Sequence, residues 1–421
     1  MKDFQEVVKS ISKLITFDSS KQPAENGMPF GRGACDCLSC FLSLAQSMGF
    51  QTKNYDNYAG EVVFGTGEDF AVLAHLDVVP AGSGWKKDPF GGEVSEGKIW
   101  GRGAIDDKGP AVCALYAMKA LKDEGFVPHK TIKLIVGCNE EDGWACIEHY
   151  KQCAALPRTG ISPDADFPVI YAEKGIAHVL LHFPVTNAPF QDIRGGTSAN
   201  MVCALCEAIP LHFAEERAKK YPVGYHDGVL TAVGKSAHGS TPENGVNAIE
   251  PILRYFAEEN DDIKRILACA FDDIYGLKQL HDETGYLTLS PDMISYTAGK
   301  IDLLCDIRYP AGYNFTQISA YLNKFGVPYD VVHEQAPLYQ DKDGALVQTL
   351  LSVYEECTGE RTQPIAIGGG TYARALECGV AFGPEMKGDE PVIHQANEYI
   401  TLERVELLLK IYKEALKKLC R

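Results

Sequence analysis

The sequence predicts an α/β chain: a first domain with a mixed, mostly parallel sheet flanked by helices, interrupted by an inserted α+β domain. Three observations carry that expectation. The 421 residues exceed what one hydrophobic core usually serves. Two apolar runs, AVLAHLD over 71–77 and TIKLIVGC over 131–138, flank the helical stretch KGPAVCALYAMKALKDEG, which is a βαβ pattern. From about residue 176 the texture changes to closely spaced strand-like runs, and helical periodicity returns after about residue 335. The expected division is therefore 1–175 and 336–421 for the first domain and 176–335 for the insertion.

Along the chain, MKDFQEVVKSISKLI sets Phe4, Val7, Val8, Ile11, Leu14 and Ile15 at helical spacing, so an amphipathic helix is expected and not a continuous apolar leader. CDCLSCFLSLAQSMGF also reads as helix. Its Cys35, Cys37 and Cys40 are taken as structural, because no second ligand pair lies nearby. The unbroken apolar character of 71–77 and 131–138 marks strands buried on both faces. Between the first strand and the helix, GGEVSEGKIWGRG reads as a short hairpin with a Ser-Glu-Gly turn. In the insertion, VLLHF, GVLTAVG, YLTLSPDMISYTAG and KIDLLCDIRYP are strand-like and NAIEPILRYFAEE is helical. After it come a helix within QDKDGALVQTLLSVYEECTG, a Gly-rich segment and a last helix from about Thr401. The stretches 174–177 and 334–338, where the two textures meet, are the expected hinges.

Lysine and arginine number 40 against 57 aspartates and glutamates, a formal charge of −17 spread without long acidic blocks. Such a surface repels nucleic acid and anionic membranes, so neither is an expected partner. No stretch of about 18 apolar residues occurs, so no membrane span is expected. Fourteen scattered cysteines in a large chain without an export signal point to a reducing cytoplasm, not to a disulfide scaffold.

Open α/β sheets gather ligands outside the carboxyl ends of their strands, which directs attention to the polar residues after the two apolar runs. His75 and Asp77 stand at i and i+2, on one side of an extended segment. Read alone, His75 suits a satisfied core histidine and Asp77 a turn cap. Read together, Asp77 can accept an imidazole N–H and fix a metal-binding tautomer. In GRGAIDDKGP, the consecutive Asp106 and Asp107 allow one carboxylate to cap the next helix and one to bind a cation. Glu140 and Glu141 would repel each other unless a cation or proton intervened, and extended backbone turns them to opposite sides. Asp164, with Asp166 competing, and His394 are further donors. Imidazole combined with carboxylate suits zinc or manganese.

In order along the whole chain, AHLDVVPAG, GRGAIDDKGP, NEEDGW, SPDADFP, GKSAHGSTPENGVNA, DIRYP, GGGTYARAL and HQANEYI resemble the PepV-like (Sapep-type) dipeptidases of the ArgE/DapE/carboxypeptidase G dinuclear metallopeptidase superfamily. The resemblance implies a zinc-exopeptidase-like catalytic domain with an inserted lid. It makes His75, Asp106 and Asp164 the ligands of one divalent ion and Asp106, Glu141 and His394 those of the other, with Asp106 bridging. Two histidines and three carboxylates leave Zn2+, Mn2+ and Co2+ open. Glu140 is implied as general base toward a metal-bridging water, and Asp77 as the residue orienting His75. His238 of the insertion, helped by Asn200, is implied as donor to the tetrahedral oxyanion. Arg308 would clamp the dipeptide carboxylate, and Gly369 and Gly370, after Gly368, would let backbone N–H groups approach the substrate.

The implied reaction is hydrolysis of unblocked dipeptides, so a small peptide is the expected partner. Two alternatives stand beside it. One is removal of an acetyl or succinyl group from an amino acid, by a branch sharing all these metal residues. The other is a silent binding protein on this fold, against which the presence of Glu140, Asp77 and all five ligands counts. The insertion of about 160 residues resembles the enlarged lid of monomeric relatives, so a cytoplasmic monomer is expected. Two departures from the family pattern stand out. Val202-Cys203 replaces a frequent Val-Pro, with a changed helix start near Asn200 expected, and Cys138 beside the catalytic Asn-Glu-Glu is expected to confer sensitivity to oxidation.

Overall fold

A computed structural model describes residues 4–421. The chain divides into two compact units. One runs to Tyr171 and takes in Gln340–Ile365 and Thr371–Arg421; the other is Ala172–Tyr339 with Ala366–Gly370.

The first unit is built on a mixed sheet. Four parallel strands form its centre, in the order Lys130–Gly137, Glu68–His75, Thr159–Ser162 and Cys378–Ala381. Antiparallel strands Ala59–Phe64 and Gln51–Tyr55 extend it on one side. Every residue from Phe70 to His75 is buried, which explains a run without alternation: both faces of the strand are covered by helices. The helices of this unit are Phe4–Ile15, Arg32–Ser47, Lys108–Asp123, Ala145–Cys153, Ala345–Thr358 and Leu402–Leu419. The first buries Val7, Val8, Ile11, Leu14 and Ile15, the apolar face read from the sequence. The last begins where Thr401 Oγ1 accepts the Arg404 N–H at 3.0 Å, a side-chain cap for an otherwise orphaned donor.

The expected hairpin is present as Val94–Ser95 and Lys98–Trp100, turning at Glu96 and Gly97 with φ of 56° and 71°. Two consecutive positive φ values match the right-handed twist of a two-residue hairpin. Its second strand pairs with Tyr399–Thr401, which ties it to the segment carrying His394.

The second unit holds one antiparallel eight-stranded sheet. Its order is Val223–His226, Val229–Val233, Leu205–Pro210, Phe190–Gly195, Thr288–Thr297, Lys300–Tyr309, Gly175–Pro184, Tyr329–Gln335. Ala177, Val179, Leu181 and Phe183 alternate onto one face, as do Ile301, Leu303, Cys305 and Ile307. There they share a core with Ile252, Phe256, Ile263 and Ile266 of helices Ile249–Ala257 and Asp261–Ala270.

Several sequence expectations need correction. Strands such as Tyr329–Gln335 and Val223–His226 escaped notice because they are edge strands, largely exposed, and lack an apolar run. The expected hinges 174–177 and 334–338 lie mostly in ladder, with Ile176 opposite Gln335 and Ala177 opposite Glu334; the chain passes between units at Tyr171 and at Tyr339. Ala366–Gly370 clusters with the second unit, where Ile367 O accepts the Lys174 N–H at 3.1 Å. No helix starts near Asn200. The chain runs instead into strand Leu205–Pro210, with the Cys203 thiol donating to Leu205 O at 3.1 Å.

Leu73 is fully buried in a central parallel strand. Leu73→Ala is expected to cost the first unit about 2–5 kcal/mol in urea unfolding, and a loss below about 1 kcal/mol would contradict close packing there.

Candidate metal centre

The carboxyl end of strand Glu68–His75 delivers His75, which is fully buried. Its Nε2 lies 3.0 Å from Asp106 Oδ1 and 3.7 Å from Asp164 Oδ2. His394 Nε2 lies 2.9 Å from Asp106 Oδ2 and 3.1 Å from Glu141 Oε1. Asp106 thus turns one oxygen to each imidazole. Two donor groups result, His75 with Asp106 and Asp164, and Asp106 with Glu141 and His394; in each, the donors lie within 4.8 Å of one another. All five residues belong to the first unit. Asp166, the competitor of Asp164, is in neither group and bridges to Glu385 through its backbone.

The supporting contacts decide how these donors are aimed. His75 Nδ1 lies 3.0 Å from the Asp77 carbonyl oxygen and 3.6 Å from its carboxylate. A carbonyl can only accept, so Nδ1 carries a proton, and once the Nε2 proton is displaced the neutral ring presents its Nε2 lone pair to the donor group. The Asp77 carboxylate has a further task. Its two oxygens accept the N–H groups of Glu140 and Glu141 at 3.0 and 3.1 Å, fixing the peptide between the two acids. Glu140 is then held by the Trp144 indole N–H, 3.0 Å from Oε1, and stands outside both donor groups.

Glu398, which sequence reasoning missed, and Asp107, which precedes helix Lys108–Asp123 but makes no side-chain capping bond to it, complete the support. Glu398 is fully buried; Oε2 accepts from Arg102 Nη1 at 2.7 Å, and Oε1 accepts the N–H groups of Ile105 and Asp106 at 3.1 and 3.3 Å. Asp107 accepts the His75 N–H at 3.1 Å. His394 itself adopts φ 60°, a left-handed conformation that non-glycine residues rarely take and that clusters at functional sites.

The electrostatics ask for positive charge. Burial pushes Asp164 up to about 7, with the Asp106 charge adding to it. Burial likewise raises Glu140 well above the usual carboxylate range, with Asp164 and Glu141 contributing, and raises Glu141, with Asp106 contributing. Burial acts upward on Asp106 too, but its hydrogen bonds to His394 and His75 outweigh it and hold the group low. For the imidazoles burial acts downward and is again outweighed. Asp106 and Asp77 raise His75, and Asp106 and Glu141 lift His394 to about 11. Protons therefore occupy the two positions toward which the donors converge. Nitrogen and oxygen donors, three per group and sharing one carboxylate, fit two divalent cations without selecting among zinc, manganese and cobalt.

The second unit carries the remaining sequence-predicted residues. His238 Nδ1 accepts the Ser240 N–H at 3.2 Å, which leaves the ring proton on Nε2 and makes a neutral donor there. Asn200 is its neighbour: Asn200 O accepts the Gly239 N–H at 2.7 Å, and its side-chain Oδ1 accepts from Ser198. The run from Gly368 through Gly369 to Gly370 approaches the same place, since a Cβ on Gly368 would lie 3.4 Å from Ser240 Cβ. Arg308 is buried and forked onto Asp306, both Nε and Nη2 donating at 2.8 Å. That partner was not foreseen, although it sits two residues earlier in DIRYP. Cys138 is buried and burial drives its thiol well above its usual range, which disfavours the thiolate and counts against the expected oxidation sensitivity.

Residues 71–418 match the profile of peptidase family M20/M25/M40. The chain belongs to this family. It is 36% identical over 451 residues to the Beta-Ala-Xaa dipeptidase of Lactobacillus delbrueckii subsp. lactis, covering 99% of this chain and 96% of that relative. Among solved structures, human carnosine dipeptidase 1 has TM-score 0.61 at 15% identity, over 99% of this chain and 96% of the other. The M20 family metallo-carboxypeptidase Sso-CP2 from Sulfolobus solfataricus has TM-score 0.60 at 16% identity, over 98% of both chains. This M20 peptidase is an enzyme acting on peptide bonds, and its relatives share its α/β architecture. Among the described residues no helix is long and apolar enough to cross a membrane, and all fourteen cysteines are free.

Because cations must displace protons from His75 and His394, metal affinity is expected to rise with pH across the neutral range, about tenfold per unit for each proton displaced. Chelator competition at pH 6, 7 and 8 measures this, and a pH-independent affinity would contradict the assignment. Glu398→Gln removes an acceptor that holds the Asp106 segment and should weaken metal binding about 10–100-fold, as loss of outer support does elsewhere; unchanged affinity would remove Glu398 from the centre.

Proposed function

We propose that this M20 peptidase is a metal-dependent dipeptidase that hydrolyses the peptide bond of unblocked dipeptides, with Glu140 as general base, acting as a cytoplasmic monomer. The observation that carries the base assignment is the division between adjacent acids. Asp77 fixes their shared peptide, Glu141 faces His394 in a donor group, and Glu140 turns to Trp144 outside both groups. The Beta-Ala-Xaa dipeptidase relative supports a short substrate with a free amino terminus.

Held by His75, Asp106 and Asp164 and by Asp106, Glu141 and His394, two divalent cations, Zn2+, Mn2+ or Co2+, would polarise the peptide carbonyl and acidify water. Glu140 takes the proton of the attacking water on Oε2, Oε1 being held by Trp144, and returns it to the leaving amine nitrogen. Its raised proton affinity, caused first by burial, suits a base that must also act as acid within one turnover. His238 Nε2–H donates to the oxyanion, and Asn200 stands beside it; loss of one such donor typically costs about 10²–10³ in kcat. Arg308 receives the dipeptide carboxylate on the guanidinium edge that Asp306 does not occupy, while Gly369 and Gly370 keep side chains out of the substrate's way.

Glu140→Gln keeps the shape of the side chain and removes proton transfer. It should lower kcat by about 10²-fold or more with metal content unchanged, and retained activity in a metal-loaded variant would overturn the base assignment. On the substrate side, metal-stripped enzyme restored with Mn2+ or Zn2+ is expected to cleave free dipeptides, β-alanyl-histidine among them, and to spare their N-acetylated forms. The reverse preference would assign the chain to the deacylase branch. Silence toward both would favour a binding protein.

A further inference from the structure

The geometry points to a third cation site, separate from the dinuclear centre, formed by Asp56, His149 and Cys153 and suited to Zn2+. His149 and Cys153 stand one turn apart on helix Ala145–Cys153 and so share a face. Asp56 belongs to the turn between strands Gln51–Tyr55 and Ala59–Phe64, where it and Asn57 have φ of 52° and 62°. Asp56 Oδ2 lies 2.9 Å from His149 Nε2, and Cys153 Sγ lies 3.5 Å from that same nitrogen. The three donors all fall within 4.8 Å of one another.

The shared nitrogen decides the chemistry. In a relay of thiol, imidazole and carboxylate, the acid and the nucleophile address opposite ring nitrogens, so that the ring can pass a proton between them. Here both crowd Nε2, and no relay is possible. A single proton on Nε2 serves one partner at a time, whereas a cation serves all three together. Tetrahedral zinc with bonds of about 2.0–2.3 Å sets its donors about 3.3–3.8 Å apart; the thiol–imidazole separation of 3.5 Å falls in that range, and the carboxylate–imidazole separation of 2.9 Å needs only a small opening to reach it. The Tyr58 ring stacks on the imidazole at 4.1 Å and 21°, holding the ring plane. Cys153 is the one exposed cysteine of the fourteen, so solvent can supply a fourth ligand. Binding would release the Cys153 thiol proton and leave thiolate, imidazole and carboxylate on the ion, a softer set than the all-nitrogen-and-oxygen dinuclear centre. The ion would pin one end of the helix whose other end begins at Trp144, the partner of Glu140.

Cobalt distinguishes the two kinds of site without reference to activity. The metal-stripped full-length protein is titrated with Co2+ while its near-ultraviolet spectrum is followed. A thiolate-to-cobalt charge-transfer band should develop to one equivalent per chain, since the dinuclear centre has no sulfur ligand to produce it. Zn2+ should bleach the band. Cys153→Ser and His149→Ala should each abolish it while leaving peptidase activity with Co2+ in place, which also shows that the variants fold. No band at saturating Co2+, or a band of undiminished intensity in Cys153→Ser, would overturn the site.

Discussion

The carboxylate of Asp106, with one oxygen toward His75 and the other toward His394, is the contact on which the rest of the centre depends. It can bridge only because four segments meet at it. The parallel alignment of Lys130–Gly137, Glu68–His75, Thr159–Ser162 and Cys378–Ala381 sets four carboxyl ends side by side. From those ends the chain continues into Glu140 and Glu141, His75 and Asp77, Asp164, and the loop bearing His394. This is the usual ligand-gathering edge of an α/β sheet. Glu398, anchored by Arg102, then holds the Asp106 backbone from below, and Asp77 holds the Glu140–Glu141 peptide.

Such a concentration of buried acids is costly unless balanced, because burial and mutual repulsion both oppose ionisation. The raised Asp164, Glu140 and Glu141 show that cost, and the raised His75 and His394 show that protons on the imidazoles can offset it. Divalent cations offset it better, since one ion neutralises two carboxylates without requiring charged imidazoles. The same physics separates the two adjacent glutamates. One is drawn into a donor group by His394, and the other is kept apart by the Trp144 indole.

Each of the five candidate ligands, taken alone, suits a bland reading; the resemblance of eight motifs in order along the chain is what grouped them, and the fold brings the same five side chains into two donor groups. The buried strands were legible because an apolar run covered on both faces leaves a mark that a half-exposed edge strand such as Tyr329–Gln335 does not. What escaped notice are pairings between residues far apart or of ordinary appearance. Glu398 and Ile105 are separated by 293 positions, and an isolated glutamate in HQANEYI looks like any solvated acid. Asp306 was visible in DIRYP, yet only the fold shows its side chain forked by Arg308. Asp77 was assigned to His75 alone, because the return of a second strand beside it, bringing Glu140 and Glu141 within reach, is a property of the sheet and not of the local sequence.

The central claim is that one carboxylate serves two ions, and metal stoichiometry tests it most directly. In a Cys153→Ser background, which removes the third candidate site from the count, Zn2+ binding to Asp106→Asn should be compared with binding to Asp164→Asn. If Asp106 bridges, its substitution weakens both ions together, by about 100-fold or more each, whereas Asp164→Asn weakens one and leaves the other nearly unchanged. Two tightly bound ions in Asp106→Asn, or the loss of only one, would contradict the bridging role and the dinuclear account built on it.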